Sequence, residues 1–153
     1  MKPVVIIPAY NPDEKLIDLV DSLNSAGLTV VVVDDGSRRE CAGIFEVLKS
    51  GLRCLVIRHG VNRGKGAALK TGLGFAANQY PGCPGFVTAD ADGQHAPPDV
   101  VSVAGALEQN SGCFILGSRR FSAGGVPLKS LMGNRLTSLV FFLSTGRWFG
   151  DTQ

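Results

Sequence analysis

Two aspartates one residue apart follow a short apolar segment near the middle of the chain. Residues 86–89 run directly into Asp90-Ala91-Asp92-Gly93-Gln94. In an extended strand, residues i and i+2 lie on one face, so both carboxylates can reach one ion beyond the strand end. Mg²⁺ and Mn²⁺ prefer oxygen ligands, and substrate phosphates commonly complete their coordination. The spacing therefore predicts a divalent metal site at Asp90 and Asp92, with Gln94 as a third ligand; the alternative is a polar turn.

A second acidic cluster, Asp34-Asp35-Gly36-Ser37, follows a run of valines at residues 30–33. A carboxylate at the end of a buried strand can accept a hydrogen bond from a ribose hydroxyl or a base N–H. The cluster therefore predicts a nucleoside contact. The alternative is ordinary turn chemistry, in which Ser37 caps the next helix.

Gly64-Lys65-Gly66 only partly matches a phosphate-binding loop. A Walker A sequence needs glycine where His59 stands and serine or threonine where Gly66 stands. What remains is either a helix N-terminus whose N–H groups and Lys65 face an anion, or a flexible turn. His59 is interpreted as a structural or solvated side chain and His95 as a solvated loop histidine; the alternative for His95 is a side chain that lines the metal site.

The elements that must hold these clusters alternate along the chain. Branched apolar runs predict buried strands, and apolar residues at helical spacing separate them. The predicted strands cover residues 4–7, 30–33, 54–57, 86–89 and 114–116; the predicted helices run from the caps Asn11 and Ser37 to about Gly27 and Ser50, and over residues 64–79 and 98–109. This order predicts an α/β fold with a largely parallel sheet and right-handed crossovers.

Ligands of open parallel sheets bind beyond the carboxyl ends of the strands. Every polar cluster follows a predicted strand, at residues 8–11, 34–37, 62–66, 90–92 and 117–119. We therefore expect all of them at one edge of the sheet. No repeat or linker interrupts the pattern, so residues 1–153 are predicted to be one domain.

Composition narrows the class of protein. The chain has 153 residues, of which 44% are hydrophobic and 18% charged, as in a soluble globular domain. A net charge of +2 does not indicate a nucleic acid partner. Four dispersed cysteines without a Cys-x-x-Cys pair, and no signal-peptide pattern, predict reduced thiols in the cytoplasm. No apolar segment approaches the ~20 residues that span a bilayer.

Residues 128–149 carry apolar residues at helical spacing. Every charged residue between Glu108 and Asp151 is basic, so this part of the chain favours phosphates. Phe141, Phe142 and Trp148 lie off the apolar stripe. The segment is therefore either an amphipathic core helix or a helix that lies on a membrane surface.

Five motifs, taken together and in order, resemble the family 2 glycosyltransferases, in particular those that act on dolichyl or polyprenyl phosphate. The motifs are Pro8-Ala9-Tyr10-Asn11, Asp34-Asp35-Gly36-Ser37, Asn62-Arg63-Gly64-Lys65-Gly66-Ala67-Ala68, Asp90-Ala91-Asp92-Gly93-Gln94-His95 and Gly117-Ser118-Arg119. Each motif is short, but together they extend over nearly the whole chain. The resemblance implies a GT-A fold that binds a nucleotide-sugar and a divalent metal and inverts the anomeric centre.

The resemblance also implies roles for individual residues. A GDP- or UDP-sugar would contact Pro8, Ala9, Tyr10, Asn11, Asp34, Asp35, Gly64, Lys65, Asp90 and Ala91. Mg²⁺ or Mn²⁺ would bind Asp90, Asp92 and Gln94, and the donor or acceptor phosphates would contact Arg119 and Arg135. The catalytic residues would be Asp92, Arg119 and Asp151.

Asp151-Thr152-Gln153 looks like the beginning of the family's Asp-x-x-x-Gly-Phe segment, so we expect an incomplete catalytic domain. A polyprenyl phosphate acceptor is already anionic at pH 7, and Asp151 would then orient it rather than deprotonate it. Such an enzyme would work in cell-envelope biosynthesis, at the cytoplasmic face of the membrane.

Three alternatives stand beside this interpretation. The acceptor could be a hydroxyl of a glycan or lipopolysaccharide, with Asp151 as the base. A sugar-1-phosphate nucleotidyltransferase is disfavoured because no Gly-x-Gly-x-Arg sequence follows the first strand. A non-catalytic nucleotide-sugar-binding module is the third possibility.

Overall fold

The computed structural model describes residues 1–52, 54–110 and 112–117, and a sheet of four parallel strands lies at its centre. The strands are β1 (Val4–Ala9), β2 (Thr29–Asp34), β3 (Leu55–Arg58) and β4 (Phe86–Thr88), in the spatial order β3-β2-β1-β4. The helices are α1 (Lys15–Ser25), α2 (Ala42–Glu46), α3 (Lys65–Gln79) and α4 (Pro97–Gln109). A 3₁₀ turn (Arg39–Cys41) precedes α2, and a π-helical turn (Val47–Gly51) follows it.

Helices cover both faces of the sheet. β1 is buried at every position, because its valines and isoleucines pack on both sides. Residues of α1, α2 and α4 form one hydrophobic cluster with Val5 and Ile7, and α3 forms a second cluster on the other face with Ile6 and Val31. The predicted α/β fold with a largely parallel sheet is confirmed.

Gly72 brings α3 close to the sheet. A Cβ atom at this position would lie 2.5 Å from Cγ2 of Ile6 and 3.1 Å from Cγ2 of Val33. Any larger residue would therefore push α3 away from β1 and β2. This close approach sets the level at which the N-terminus of α3 meets the carboxyl ends of the strands.

The order of the strands creates a switch point between β1 and β4. β2 and β3 add successively to one side of β1, and β4 adds to the other. The loops after β1 and β4 lead to α1 and α4 on one face of the sheet, whereas the loop after β3 leads to α3 on the other face. Ligands of open α/β sheets bind beyond the carboxyl ends of the strands at such a switch point. Residues 90–92 lie directly beyond this point.

Two predicted helix caps are wrong. Asn11 does not begin α1, which starts at Lys15; the Lys15 N–H instead bonds to Asp13 Oδ1 at 3.0 Å. Ser37 does not cap the next helix, because its hydroxyl accepts a hydrogen bond from the Asn11 N–H at 2.9 Å. Both side chains form hydrogen bonds between loops that are distant in sequence, and they therefore do not cap the neighbouring helices.

The predicted strand at residues 114–116 is also wrong, since these residues pair with no strand that the structure describes. Ile115 packs against the hydrophobic cluster of α1, α2 and α4, but Phe114 is 86% exposed and Leu116 is 54% exposed. The predictions for Arg119, Arg135, Asp151 and residues 128–149 lie outside the described residues, as does part of the predicted single domain.

The cysteines agree with the prediction of reduced thiols, because all four are free. Burial raises the pKa of the Cys54 thiol to about 11. None of the described helices is both long and apolar enough to cross a membrane.

Candidate nucleotide-sugar site

A cleft of about 510 Å³ opens at the carboxyl edge of the sheet. Its lining comprises Pro8, Ala9, Tyr10, Asn11, Pro12, Asp13, Lys15, Asp35, Asn62, Gly64, Lys65, Ala68, Asp90, Ala91 and Asp92. The structure thus brings together four of the five predicted clusters. Of the residues predicted to bind the nucleotide-sugar, the lining contains all except Asp34.

Asp34 is directed into the turn instead of the cleft. Its carboxylate accepts a hydrogen bond from the Ser37 N–H at 2.8 Å and forms an ion pair with Arg58 Nε at 3.3 Å. The residue is only 2% exposed. Its role in the described contacts is therefore to shape the loop that presents the next residue, Asp35.

Asp35 is held by three hydrogen bonds. Oδ1 accepts from His59 Nδ1 at 2.6 Å and from the Arg63 N–H at 3.0 Å, and Oδ2 accepts from the Gly64 N–H at 2.8 Å. Burial by itself raises the pKa of this carboxyl, but the hydrogen bonds from His59, Arg63 and Gly64 outweigh burial and hold the pKa below its ordinary value of 3.8. Asp35 is therefore an anion at neutral pH, with its orientation fixed.

The loop after β1 is tied to the loop after β2. Asn11 has a φ of +48°, a conformation that asparagine tolerates better than most residues, and its Oδ1 accepts from the Arg38 N–H at 2.9 Å. With the Ser37 contact, this makes two hydrogen bonds between the loops. The preceding side chain, Tyr10, is 51% exposed beside the cleft. Its ring offers a flat surface on which a base could stack.

The opposite side of the cleft carries an ion pair. Lys65 Nζ contacts both oxygens of Asp90, at 2.7 and 2.8 Å. Lys65 begins α3, and the backbone N–H groups of Lys65 and Gly66 have no hydrogen-bond partner within the described part of the chain. A positively charged side chain and a helix N-terminus therefore meet at one place, which favours an anion.

The loop after β4 is shaped by its own side chains. Asp92 accepts from the backbone N–H of Gln94 at 2.9 Å and from its side-chain Nε2 at 2.8 Å. His95 Nδ1 accepts from the Asp90 N–H at 3.1 Å. His95 thus supports the loop with a half-buried side chain, rather than being the solvated loop histidine that the sequence predicted. No group of three or more His, Cys, Asp or Glu residues suited to a metal exists among the described residues, so the predicted metal site is two carboxylates and an amide.

The hydrogen bonds that connect Thr71 to His59, and His59 to the Asp35 carboxylate, were not predicted from the sequence. His59 lies directly after β3, and Thr71 lies in α3 with its Oγ1 2.9 Å from His59 Nε2. A histidine after a strand gives no local sign that its partner is 24 residues away. The only available signal was its position after the third strand, at the edge where the other clusters were expected.

The fold and the cleft define an α/β protein in which a helix N-terminus and a lysine lie beside paired carboxylates at the carboxyl edge of a parallel sheet. The model of glycosyl transferase family 2 matches residues 4–150. The chain therefore belongs to glycosyl transferase family 2, and its described part is the parallel α/β sheet with flanking helices of the GT-A class.

Two individual members of the family are similar to this chain over most of its length. The chain is 31% identical over 166 residues to the UDP-N-acetylglucosamine–dolichyl-phosphate N-acetylglucosaminyltransferase of Methanococcus voltae, covering 97% of this chain and 65% of the relative. It is 35% identical over 130 residues to the dolichol-phosphate mannosyltransferase of Pyrococcus furiosus, covering 82% of this chain and 35% of that protein. The chain thus spans about two thirds or less of these two relatives.

A solved structure of S. aureus TarS, residues 1–349, is also similar. The sequence identity is 29% and the TM-score is 0.48, over 60% of this chain and 28% of that one.

Proposed function

We propose that the chain is the donor-binding part of a glycosyltransferase that moves a sugar from a nucleotide-sugar to a polyprenyl phosphate with inversion of the anomeric centre. The observation that carries this proposal is the cleft, in which Asp35 and Tyr10 accompany Lys65 and Asp90. Asp35 and Tyr10 suit a nucleoside, because they offer a carboxylate and an aromatic ring. Lys65 and Asp90 suit a diphosphate with its metal ion. The printed names of the Methanococcus and Pyrococcus relatives, both transferases to a dolichol-type phosphate, support the acceptor.

Departure of a nucleoside diphosphate requires its developing negative charge to be neutralised. The ammonium of Lys65 and the N–H groups at the start of α3, which have no partner among the described residues, would provide part of that neutralisation. They are positioned before the donor arrives, because Gly72 and Asp35 hold α3 and its preceding loop. These groups would bind the leaving diphosphate and orient the sugar toward the acceptor.

The residues fit a divalent metal. Asp90, Asp92 and Gln94 offer oxygen donors of the kind that Mg²⁺ and Mn²⁺ prefer, and the ion pair of Asp90 with the Lys65 ammonium supports a positive charge at this place. When bound, the metal would supply further charge neutralisation at the diphosphate. Asp90 and Asp92 would hold it, and Lys65 would exchange Asp90 for a phosphate oxygen.

The acceptor side rests on residues beyond those described. Arg119 and Arg135 would contact the phosphates, Asp151 would orient the acceptor, and residues 128–149 would lie on the cytoplasmic membrane surface. Their basic and aromatic content supports this, and about 1 kcal/mol per cation near anionic lipid would make binding salt-sensitive. Sedimentation with phosphatidylglycerol vesicles should show binding that declines with added salt; salt-independent or absent binding would favour a glycan hydroxyl acceptor.

Transfer itself is the direct test. UDP-N-acetylglucosamine, UDP-glucose and GDP-mannose are each incubated with the protein, a short polyprenyl phosphate, and Mn²⁺, Mg²⁺ or EDTA. We expect lipid-linked sugar in the presence of metal and none in EDTA, with a product anomer opposite to that of the donor. Asp92→Asn should abolish metal-dependent transfer, whereas Asp21→Asn, an exposed aspartate in α1, should not. If the protein binds the donor but transfers sugar to neither a polyprenyl phosphate nor a glycan hydroxyl, the result would indicate a non-catalytic nucleotide-sugar-binding module.

A further inference from the structure

His59 is a buried histidine to which the proposed donor chemistry assigns no task. Its side chain is 7% exposed, Nδ1 lies 2.6 Å from Asp35 Oδ1, and Nε2 lies 2.9 Å from Thr71 Oγ1. Because an ionised carboxylate only accepts hydrogen bonds, Nδ1 carries the proton and donates it to Asp35. In the neutral ring, Nε2 then accepts from the Thr71 hydroxyl. The ring thus connects the carboxylate to α3.

Asp35 passes this constraint to the loop before α3. Its two oxygens accept from the Arg63 and Gly64 N–H groups at 3.0 and 2.8 Å. Gly64 has a φ of +87°, which residues with a side chain rarely adopt. The next residue is Lys65, whose ammonium lies in the cleft. A rotation of the carboxylate would remove the only described partner of the Arg63 N–H and leave the Gly64 N–H only Asn62 Oδ1, at 2.9 Å.

We propose that His59 is a positioning residue for the donor site. It fixes the rotation of the Asp35 carboxylate, and through it the conformation of residues 62–65 that presents Lys65 and the α3 N-terminus to a diphosphate; Thr71 orients the ring. This inference rests on the proposed function, because diphosphate binding is what the placement serves. A residue that merely fills space would depend on ring volume, whereas a positioning residue depends on the Nδ1 hydrogen bond.

Two substitutions separate these possibilities. His59→Asn keeps an N–H donor near the position of Nδ1 but loses the ring, and His59→Phe keeps the ring but loses both hydrogen bonds. If His59 positions Asp35, nucleotide binding by His59→Asn should be closer to that of the wild type. If His59 only fills space, nucleotide binding by His59→Phe should be closer. Thr71→Val removes only the hydroxyl that orients the ring, and Thr29→Val, at an exposed position in β2, is its matched control.

Each variant is titrated calorimetrically with UDP and with GDP, in Mn²⁺, and amide hydrogen exchange at Arg63 and Gly64 is followed by NMR. Loss of a hydrogen bond to a charged group predicts that His59→Phe weakens nucleotide binding about tenfold and speeds exchange at both amides by a similar factor. His59→Asn should stay within about threefold of wild type, and Thr71→Val should lose about threefold. Thr29→Val should change neither quantity.

The proposal is overturned if a folded His59→Phe protein matches wild type in both measurements, or if His59→Asn loses as much as His59→Phe. Should His59→Phe fail to fold, the other variants decide. Near-normal amide exchange at Arg63 and Gly64 in His59→Asn, together with faster exchange in Thr71→Val, supports the positioning role. Fast exchange in His59→Asn with normal exchange in Thr71→Val refutes it. If the wild-type protein binds neither nucleotide, the proposed function fails, while the exchange measurements still test how His59 holds the loop.

Discussion

The two sides of the cleft hold their carboxylates in opposite ways. Asp35 is 2% exposed, and its carboxylate accepts hydrogen bonds from fixed donors: a buried ring and two backbone N–H groups. Asp90 makes its ion pair with a lysine whose side chain is 61% exposed. A buried carboxylate that accepts three hydrogen bonds is costly to disturb, whereas an exposed ion pair is weak and easily exchanged. The side of the cleft that we propose for the nucleoside is therefore preorganised, and the side that we propose for the phosphates can change partners.

The largest expected effect is on stability, and it separates the two aspartates. Asp35→Ala removes the acceptor for three donors and leaves His59 buried without its partner, which should lower the free energy of unfolding by about 3 kcal/mol. Asp90→Ala should lower it by less than about 1 kcal/mol, because its ion pair is exposed. Urea denaturation followed by circular dichroism measures both. Equal losses would contradict the distinction between the two sides.

If Asp90 exchanges Lys65 for a metal ion, the substitution Lys65→Met should have opposite effects on the affinity for Mn²⁺ and on the affinity for a nucleoside diphosphate. Lys65→Met removes the ammonium that competes for Asp90, so Mn²⁺ alone should bind more tightly, by about threefold to tenfold. A nucleoside diphosphate in Mn²⁺ should bind more weakly, because the lysine no longer contacts the phosphates. Calorimetry measures both affinities. Lys49→Met, which breaks the exposed pair with Glu46, is the control; weaker Mn²⁺ binding by Lys65→Met would refute partner exchange.

The lowered pKa of Asp35 predicts a smaller effect at acid pH. A carboxyl whose pKa is lower in the folded than in the unfolded protein stabilises the fold above its unfolded value, and this stabilisation disappears as the pH falls through the folded value. We therefore expect stability to decline below about pH 4, with a shallower decline in Asp35→Asn. Urea unfolding as a function of pH tests this. Identical slopes in the two proteins would mean that other carboxyls dominate acid unfolding.

The smallest effect is the coupling between Lys65 and Asp90. A double-mutant cycle of Lys65→Met and Asp90→Asn should give a coupling energy of about 0.5 kcal/mol, decreasing toward zero in 1 M NaCl, because solvent and ions screen the pair. Unfolding in urea at low and high salt supplies the four free energies. A coupling of about 3 kcal/mol that ignores salt would instead indicate a buried-type pair and would remove the contrast with Asp35.

Local sequence pattern predicted the four paired strands and the long helices, but it did not predict the helix caps. The branched run at residues 30–33 and the helical spacing of residues 64–79 lie within observed elements or within one residue of them. Asn11 and Ser37 had the right chemistry for helix caps, yet each bonds to a partner in the other's loop. The apolar run at 114–116 likewise had strand composition but no strand to pair with among those described.

The parallel α/β sheet and the edge at which the polar clusters gather follow from the amino-acid pattern, because runs of branched residues and the alternation of helix and strand are local features. The pattern also specifies which residue types are available for a diphosphate and a metal. The different roles of Asp34, which shapes a turn, and Asp35, which is held by His59 and the loop before α3, follow from the folded structure. That difference depends on contacts between residues 24 to 29 positions apart, whose hydrogen-bond geometry no local pattern specifies.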